Sequence, residues 1–175
     1  MSFGVEAVSS TTLKKAGRRP IPETHQRAML LACRALGIVT AAFYVIGFAE
    51  DTRQSIAATI DFAVDLGSTV AQFKVLTPYP GTPLYRQLES SITEVDWQRF
   101  DGFTPTFTHA NLTHGELRFL LGSAYTRFYM RPSFLSNYLR ISPAAVRSLV
   151  NALDASVGRL HARREAALLQ REAIC

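Results

Sequence analysis

The stretch GIVTAAFYVIGFAEDTRQSIAATIDFAVDLGSTVAQFKVL, residues 37–76, decides how the rest of the chain is read. Between Gly37 and Gly47 lies IVTAAFYVI, Ile38 to Ile46. Its near-continuous apolarity and its β-branched and aromatic content predict a strand covered on both faces, as in a parallel sheet. Thr52 is a good N-cap, and Asp51 adds negative charge near the positive end of the helix it opens. Ile56, Ile60, Ala63 and Val64 then recur at helical spacing as far as Gly67, and Ala71 to Leu76 reads as a second strand. Strand, helix, strand with such short connections is the signature of a βαβ unit.

Towards the N-terminus, Phe3 and Val5 alternate with small or polar neighbours, so Ser2 to Glu6 reads as a short strand. The Ser/Thr cluster Ser9 to Thr12 starts a helix, and Arg18-Arg19-Pro20-Ile21-Pro22 is a loop because two prolines cannot sit in a helix interior. A helix from Glu23 to Leu36 carries Ala28, Leu31, Ala32, Ala35 and Leu36 on its apolar face, and Cys33 reads as a small core residue. Towards the C-terminus, TPYPGTPLY (Thr77 to Tyr85) offers a Pro80-Gly81 turn, Thr82 as N-cap and Pro83 at the first helical position. Ser90 to Thr113 has no sustained period, and Trp97, Phe100, Phe103 and Phe107 predict a loop packed down as a cover. A helix follows with Leu117, Leu120, Leu121, Tyr125, Phe128 and Tyr129 at steps of three and four, until Arg131-Pro132 breaks it. A last helix from about Pro143 carries Val146, Leu149, Val150, Leu153, Val157 and Leu160 on one stripe, which needs a partner in this chain or another.

The 175 residues, 47% apolar and 19% charged, have the composition of a folded domain with an appendage and exclude a disordered chain. No run of eighteen apolar residues exists, and the N-terminus has neither a basic nor an apolar leader region, so secretion and a membrane span are not expected and a cytoplasmic location is. The net charge is +5, and all the basic residues except Lys14, Lys15 and Lys74 are arginine. Six of those arginines lie between Arg140 and Cys175. Nucleic acid, an acidic partner or an anionic membrane surface could each use such a tail, but a solvated helix face is the plainer reading. Cys33 and Cys175 are far apart, so the chain's cysteines build neither a zinc site nor an iron-sulfur cluster. His109 and His114 flank a loop without nearby cysteines or carboxylate pairs and read as surface histidines.

FGVEAVSSTTLKKAGRRPI, FYVIGFAEDTRQSIAATIDFA and QFKVLTPYPGTPLY, in this order and spacing, resemble the fourth, fifth and sixth strand regions of radical S-adenosylmethionine (SAM) barrels. They look most like the enzymes that also carry a cobalamin-binding domain, of the hopanoid C-methylase kind. The resemblance covers the first ninety residues or so, and DWQRFDGFTPTF with RFYMRP resembles the tail of the same enzymes. It implies an α/β fold, the last three strands of a partial (β/α)6 TIM-like barrel, followed by an α-helical C-terminal extension. The division expected is barrel half 1–90, covering loop 91–112 and helical extension 113–175.

By the same resemblance, Glu6 at the end of its strand meets the ribose of SAM, as a carboxylate that accepts hydrogen bonds from two vicinal hydroxyls. A surface acid near the N-terminus is the bland alternative. Arg18 falls where relatives place a basic residue that pairs with the SAM carboxylate, and a guanidinium suits that task, although Arg19 is adjacent. Val45 and Thr77 match the strand ends on which adenine rests, and would look the same as ordinary core residues. Gln72 and Lys74 share one face of their strand by its two-residue period, and with Tyr79 on the rim are substrate candidates or plain strand and packing residues. Ala7 stands where many relatives have serine and Ala49 where they have proline, and each change weakens one contact.

The family's chemistry needs a CxxxCxxC loop to hold a [4Fe-4S] cluster, and that loop with three strands is missing from this sequence. No residue here is therefore assigned as catalytic or as a metal ligand. With Met1 almost on top of the first strand, the expectation is a fragment, inactive alone, whose partner is the N-terminal half of the barrel, from the same gene or a separate chain. The complete form would cleave SAM to a 5′-deoxyadenosyl radical and would act, with cobalamin, on a small-molecule or lipid-like substrate. No nucleic acid is expected, and the basic C-terminal helix is a candidate for peripheral membrane contact. The rival reading is a degenerate half barrel that serves as a binding or assembly module without catalysis. A weaker third is an unrelated nucleotide-binding α/β domain.

Overall fold

The computed structural model describes residues 1–134, one compact unit. The expected helix from Pro143, its arginines and Cys175 lie outside the described residues. In chain order the elements are β1 (Ser2–Glu6), α1 (Ser10–Lys15), α2 (Glu23–Ala35), β2 (Ala41–Ile46), α3 (Arg53–Leu66), β3 (Val70–Val75), α4 (Pro83–Leu88) and α5 (His114–Tyr129), with short 3-10 turns at Glu89–Ser91 and Trp97–Arg99. The fold is α/β: a three-stranded parallel sheet in the order β1-β2-β3.

The helix boundaries follow from local chemistry. Thr52 and Thr113 each accept from the backbone N–H three residues on while the side chain there, Ser55 or Glu116, returns a bond to the cap, closing a capping box at α3 and at α5. Thr82 caps α4 with Pro83 next to it, as the sequence predicts. At the end of α1, Gly17 at φ 70° lets its own N–H reach Lys14 O and the Arg18 N–H reach Leu13 O, a Schellman motif that throws Arg18 clear of the helix.

Three expectations need correction. β2 begins at Ala41, not Ile38, because its paired registers with β1 and β3 begin there, opposite Ser2 and Val70. The buried stripe of α2 is Leu30 and Cys33, while Leu31 and Leu36 are exposed. Two apolar stripes one residue apart lie about 100° around a helix, and the sequence alone does not choose between them. Finally, β2 is not covered on both faces by the described residues. Ala42, Tyr44 and Ile46 with Ala71, Phe73 and Val75 pack under α3 and α5. Phe73 stacks on Tyr44 at 5.0 Å and meets Tyr125 and Phe128 edge-on. The opposite face carries Phe43, which is 38% exposed, and is closed only at its C-terminal end, where Leu13, Phe48 and Ala7 meet Val45 and Leu76.

The two edges of the sheet are treated differently. Along β3, the Tyr129 hydroxyl accepts from Ala71 N–H at 3.2 Å and donates to Ala71 O at 2.6 Å, and the Tyr125 hydroxyl does the same for Phe73 at 3.2 and 2.9 Å. Gly102 O accepts from Val75 N–H at 2.7 Å. Side chains and a loop thus stand where a fourth strand would pair. β1, paired on one side only, has no such seal among the described residues.

The segment between α4 and α5 is tied down by an antiparallel bridge between Ile92 and Phe107. Of the four aromatic residues expected to pack beneath it, Phe100 and Phe107 are buried, but Trp97 is 60% exposed and lies sideways against Tyr85 and Phe100, and Phe103 lies against Lys74 at the surface. The sequence marks Arg131 only as a helix breaker. It is buried, its Nη2 donating to Ser68 O at 2.6 Å and its Nη1 to Phe128 O at 3.1 Å, with its guanidinium 3.5 Å from the Phe128 ring centroid. Burial lowers its pKa, and these two carbonyls, together with Ser133 Oγ at 3.1 Å from Nε, accept from the guanidinium.

Candidate functional site

Because all three strands run the same way, their C-terminal ends form one rim. There Glu6 lies opposite Tyr44, and Ile46 opposite Val75. Around the rim, α1 with the loop after it, the β2–α3 turn and the start of α4 enclose a cleft of about 740 Å³, within the size range of small-molecule sites. Its walls include Glu6, Lys15, Arg18, Phe48, Glu50 and Thr82, and Val45 and Leu76 give it an apolar floor.

Glu6 is placed there at a conformational cost. The ladder slips between Gly4 and Glu6, and Ala7 N–H donates back to Val5 O at 2.9 Å across Glu6, whose φ is +65°. That is a γ-turn of the strained, positive-φ kind, and Glu6 is the only non-glycine with positive φ among the described residues. Holding an ordinary side chain so costs on the order of 1–3 kcal/mol, and such strain gathers at functional sites.

Arg18 Nε lies 3.3 Å from Glu6 Oε2, with the arginine side chain 64% and the glutamate 22% exposed. A second ion pair, Lys15 with Glu50, links α1 to the β2–α3 turn. The rim therefore alternates carboxylate and cation over an apolar floor. It can accept hydrogen bonds from hydroxyls, pair with a carboxylate and support a flat ring. Among the described residues, no group of three or more His, Cys, Asp or Glu is placed to hold a metal ion.

The β2–α3 turn is built by Asp51. Its buried Oδ2 accepts from Gly47 N–H at 2.9 Å and Phe48 N–H at 3.0 Å, and its Oδ1 accepts from Ser55 Oγ at 2.8 Å. Gly47 has φ 81°, and a Cβ there would come 3.1 Å from Leu117. From the covering segment, His109 donates through Nε2 to Phe48 O at 2.7 Å and accepts at Nδ1 from Asn111 N–H at 3.0 Å, which assigns its tautomer. Asn111 Nδ2 donates to Asp51 O at 3.2 Å. His109 is thus a buried brace of the cleft wall and not a surface histidine; Nε2 of His114 is likewise bonded, to Phe107 O at 2.9 Å. A histidine two residues before an asparagine in a loop was the only signal for this brace, and it is a weak one.

Of the residues singled out from the sequence, the fold brings Glu6, Arg18 and Val45 to one cleft. Thr77 is not among its lining, and its buried hydroxyl is spent on Val75 O at 3.0 Å. Gln72 and Lys74 lie on the uncovered sheet face, below the cleft, and Tyr79 is an exposed residue of the turn before α4. Phe48, Lys15 and Glu50, which line the cleft, had not been singled out; Lys15 and Glu50 look like ordinary surface charges until the turn brings them together.

Fold and cleft together define a parallel α/β unit with a ligand-sized site at its strand ends. The chain matches no protein-family model. It is similar to an uncharacterized methyltransferase of Pyrococcus horikoshii, 33% identical over 135 residues that make up 76% of this chain and 29% of that protein. It is also similar to the anaerobic magnesium-protoporphyrin IX monomethyl ester cyclase of Rubrivivax gelatinosus, 28% identical over 77% of this chain and 24% of that protein. The chain thus spans only 24% to 29% of the length of these relatives. Among solved structures, coproporphyrinogen III oxidase from Escherichia coli, described as a radical SAM enzyme, matches with a TM-score of 0.47 and 17% identity over 74% of this chain and 26% of that one.

Proposed function

We propose that this chain is the closing half of a radical SAM barrel and carries the part of the SAM site that holds ribose and carboxylate. The observation that carries the reading is the meeting of Glu6 and Arg18 at one cleft, with Glu6 held there in a strained conformation. Glu6 would accept hydrogen bonds from the ribose hydroxyls, Arg18 would pair with the carboxylate, and Val45 with Leu76 would support the adenine. The 3.3 Å contact of Glu6 with Arg18 is then a resting pair that a ligand bearing both hydroxyls and a carboxylate parts.

The residues present fit SAM but not an iron-sulfur cluster. Cys33 is buried under α2 with its Sγ 3.7 Å from Met1 Sδ, and the sequence holds no CxxxCxxC. A cluster, where bound by residues outside this chain, would supply the electron for reductive cleavage of SAM. The sealed edge of β3 and the unsealed edge of β1 favour a sheet that continues on the β1 side, where the remaining strands and that cysteine loop would lie. The similarity to a methyltransferase and a cyclase favours carbon methylation, with cobalamin as methyl carrier, or a related ring-forming reaction on a small molecule.

The full chain is expected to bind SAM weakly, at roughly millimolar strength because half the site is elsewhere, and to lose that binding in Glu6→Leu. It is expected to release no 5′-deoxyadenosine after anaerobic supply of iron, sulfide and a strong reductant. Cleavage by this chain alone, or SAM binding indifferent to Glu6, contradicts the proposal.

A further inference from the structure

On the sheet face left open, strand register sets four side chains in a square: Phe43 is paired with Gln72, and Val45 with Lys74. The β2 row is apolar and the β3 row is polar. Lys74 is held in place but not neutralised. Its Nζ lies 3.5 Å from Asp101 O and 5.3 Å from the Phe103 ring centroid, and none of the ion pairs among the described residues includes it. The loop comes so close that a Cβ on Gly102, at φ +80°, would lie 2.8 Å from Lys74 Cδ. The positive φ favours glycine at 102, and its lack of a side chain lets the loop lie against the Lys74 chain. The Gln72 side-chain amide forms no hydrogen bond among the described residues, and it stands two positions along the strand, about 7 Å away.

We propose that this square is a substrate subsite for an organic molecule with an apolar frame and a carboxylate. The frame lies over Phe43 and Val45, the carboxylate pairs with Lys74, and Gln72 bonds a second polar group. A half-buried cation without a counter-charge beside an exposed aromatic residue is complementary to such a ligand and to neither a wholly apolar nor a cationic one. Val45 belongs both to the square and to the floor of the cleft, so the bound frame would lie beside the proposed SAM site. The assignment deepens the function proposed above and rests on it for the word substrate.

The test uses 2-naphthoate and its neutral counterpart 2-acetonaphthone, titrated into the 175-residue chain and followed by amide chemical shifts. Naphthoate is expected to shift Phe43, Gln72 and Lys74, to bind about tenfold more weakly to Lys74→Met and to keep its affinity for Lys74→Arg. The ketone is expected to bind more weakly than naphthoate and to be indifferent to Lys74→Met. The amide spectrum of each variant reports whether it has kept its fold. Absence of naphthoate binding, or equal affinity for wild type and Lys74→Met, overturns the subsite. SAM titrated in parallel reads the other proposal separately: Lys74→Met leaves its binding unchanged, so loss of the SAM site and loss of this subsite are told apart.

Discussion

Glu6 shows how one residue can be read correctly for its place and missed for its state. Its position at a strand end is legible from the alternation of Phe3 and Val5. Its positive φ is not, because glutamate carries no left-handed preference and the γ-turn arises only when β1 slips against β2. If the strain is kept for the sake of the carboxylate, Glu6→Gly should raise stability by about 1 kcal/mol while removing SAM binding. Urea unfolding measures the first and calorimetry the second; a destabilised Gly variant would mean that the side chain's contacts outweigh the strain. His109 is misread for a related reason, while Arg131 ends the helix as expected but also has a buried role that the sequence does not show. A loop histidine and an arginine before proline look exposed until the backbone carbonyls that bind them are known.

At the level of elements, what was legible was what local chemistry decides. The caps at Thr52 and Thr82 and the end of α3 at Gly67 depend on neighbours in sequence and fall where the sequence predicts them. The start of β2 and the buried side of α2 depend on partners distant in sequence, and both were missed. The cap of α5 makes a prediction about pH. Thr113 N–H, followed by the side chain of Arg53, holds the Glu116 carboxyl at a pKa of about 2, below its ordinary 4.5. A depressed folded-state pKa stabilises above the unfolded value and ceases to do so as pH falls through the folded one. The gap in melting temperature between wild type and Glu116→Gln should therefore be constant above pH 5 and close between about pH 4.5 and 2. A gap that persists at pH 2 would show that the carboxylate's charge is not what caps the helix.

For the molecule as a whole, the order of elements was readable because β-α repeats announce themselves, and three ordered blocks carried the resemblance. The treatment of the sheet edges was not. Tyr125 and Tyr129 look like part of a core stripe, and only the packing of α5 against β3 turns their hydroxyls to the strand's free groups. Among the described residues the β3 edge is sealed and the β1 edge is not, and the proposed function has the sheet continue at β1. Glu6 lies on that unsealed strand. The claim on which this account depends is that Glu6 and Arg18 together form half of a SAM site. It is tested most directly by titrating SAM into the full chain as wild type, Arg18→Ala and Arg19→Ala. Arg18→Ala should weaken binding about tenfold, as expected for losing one charge-assisted contact, and Arg19→Ala should leave it nearly unchanged. Equal effects of the two substitutions, or none from either, would contradict it.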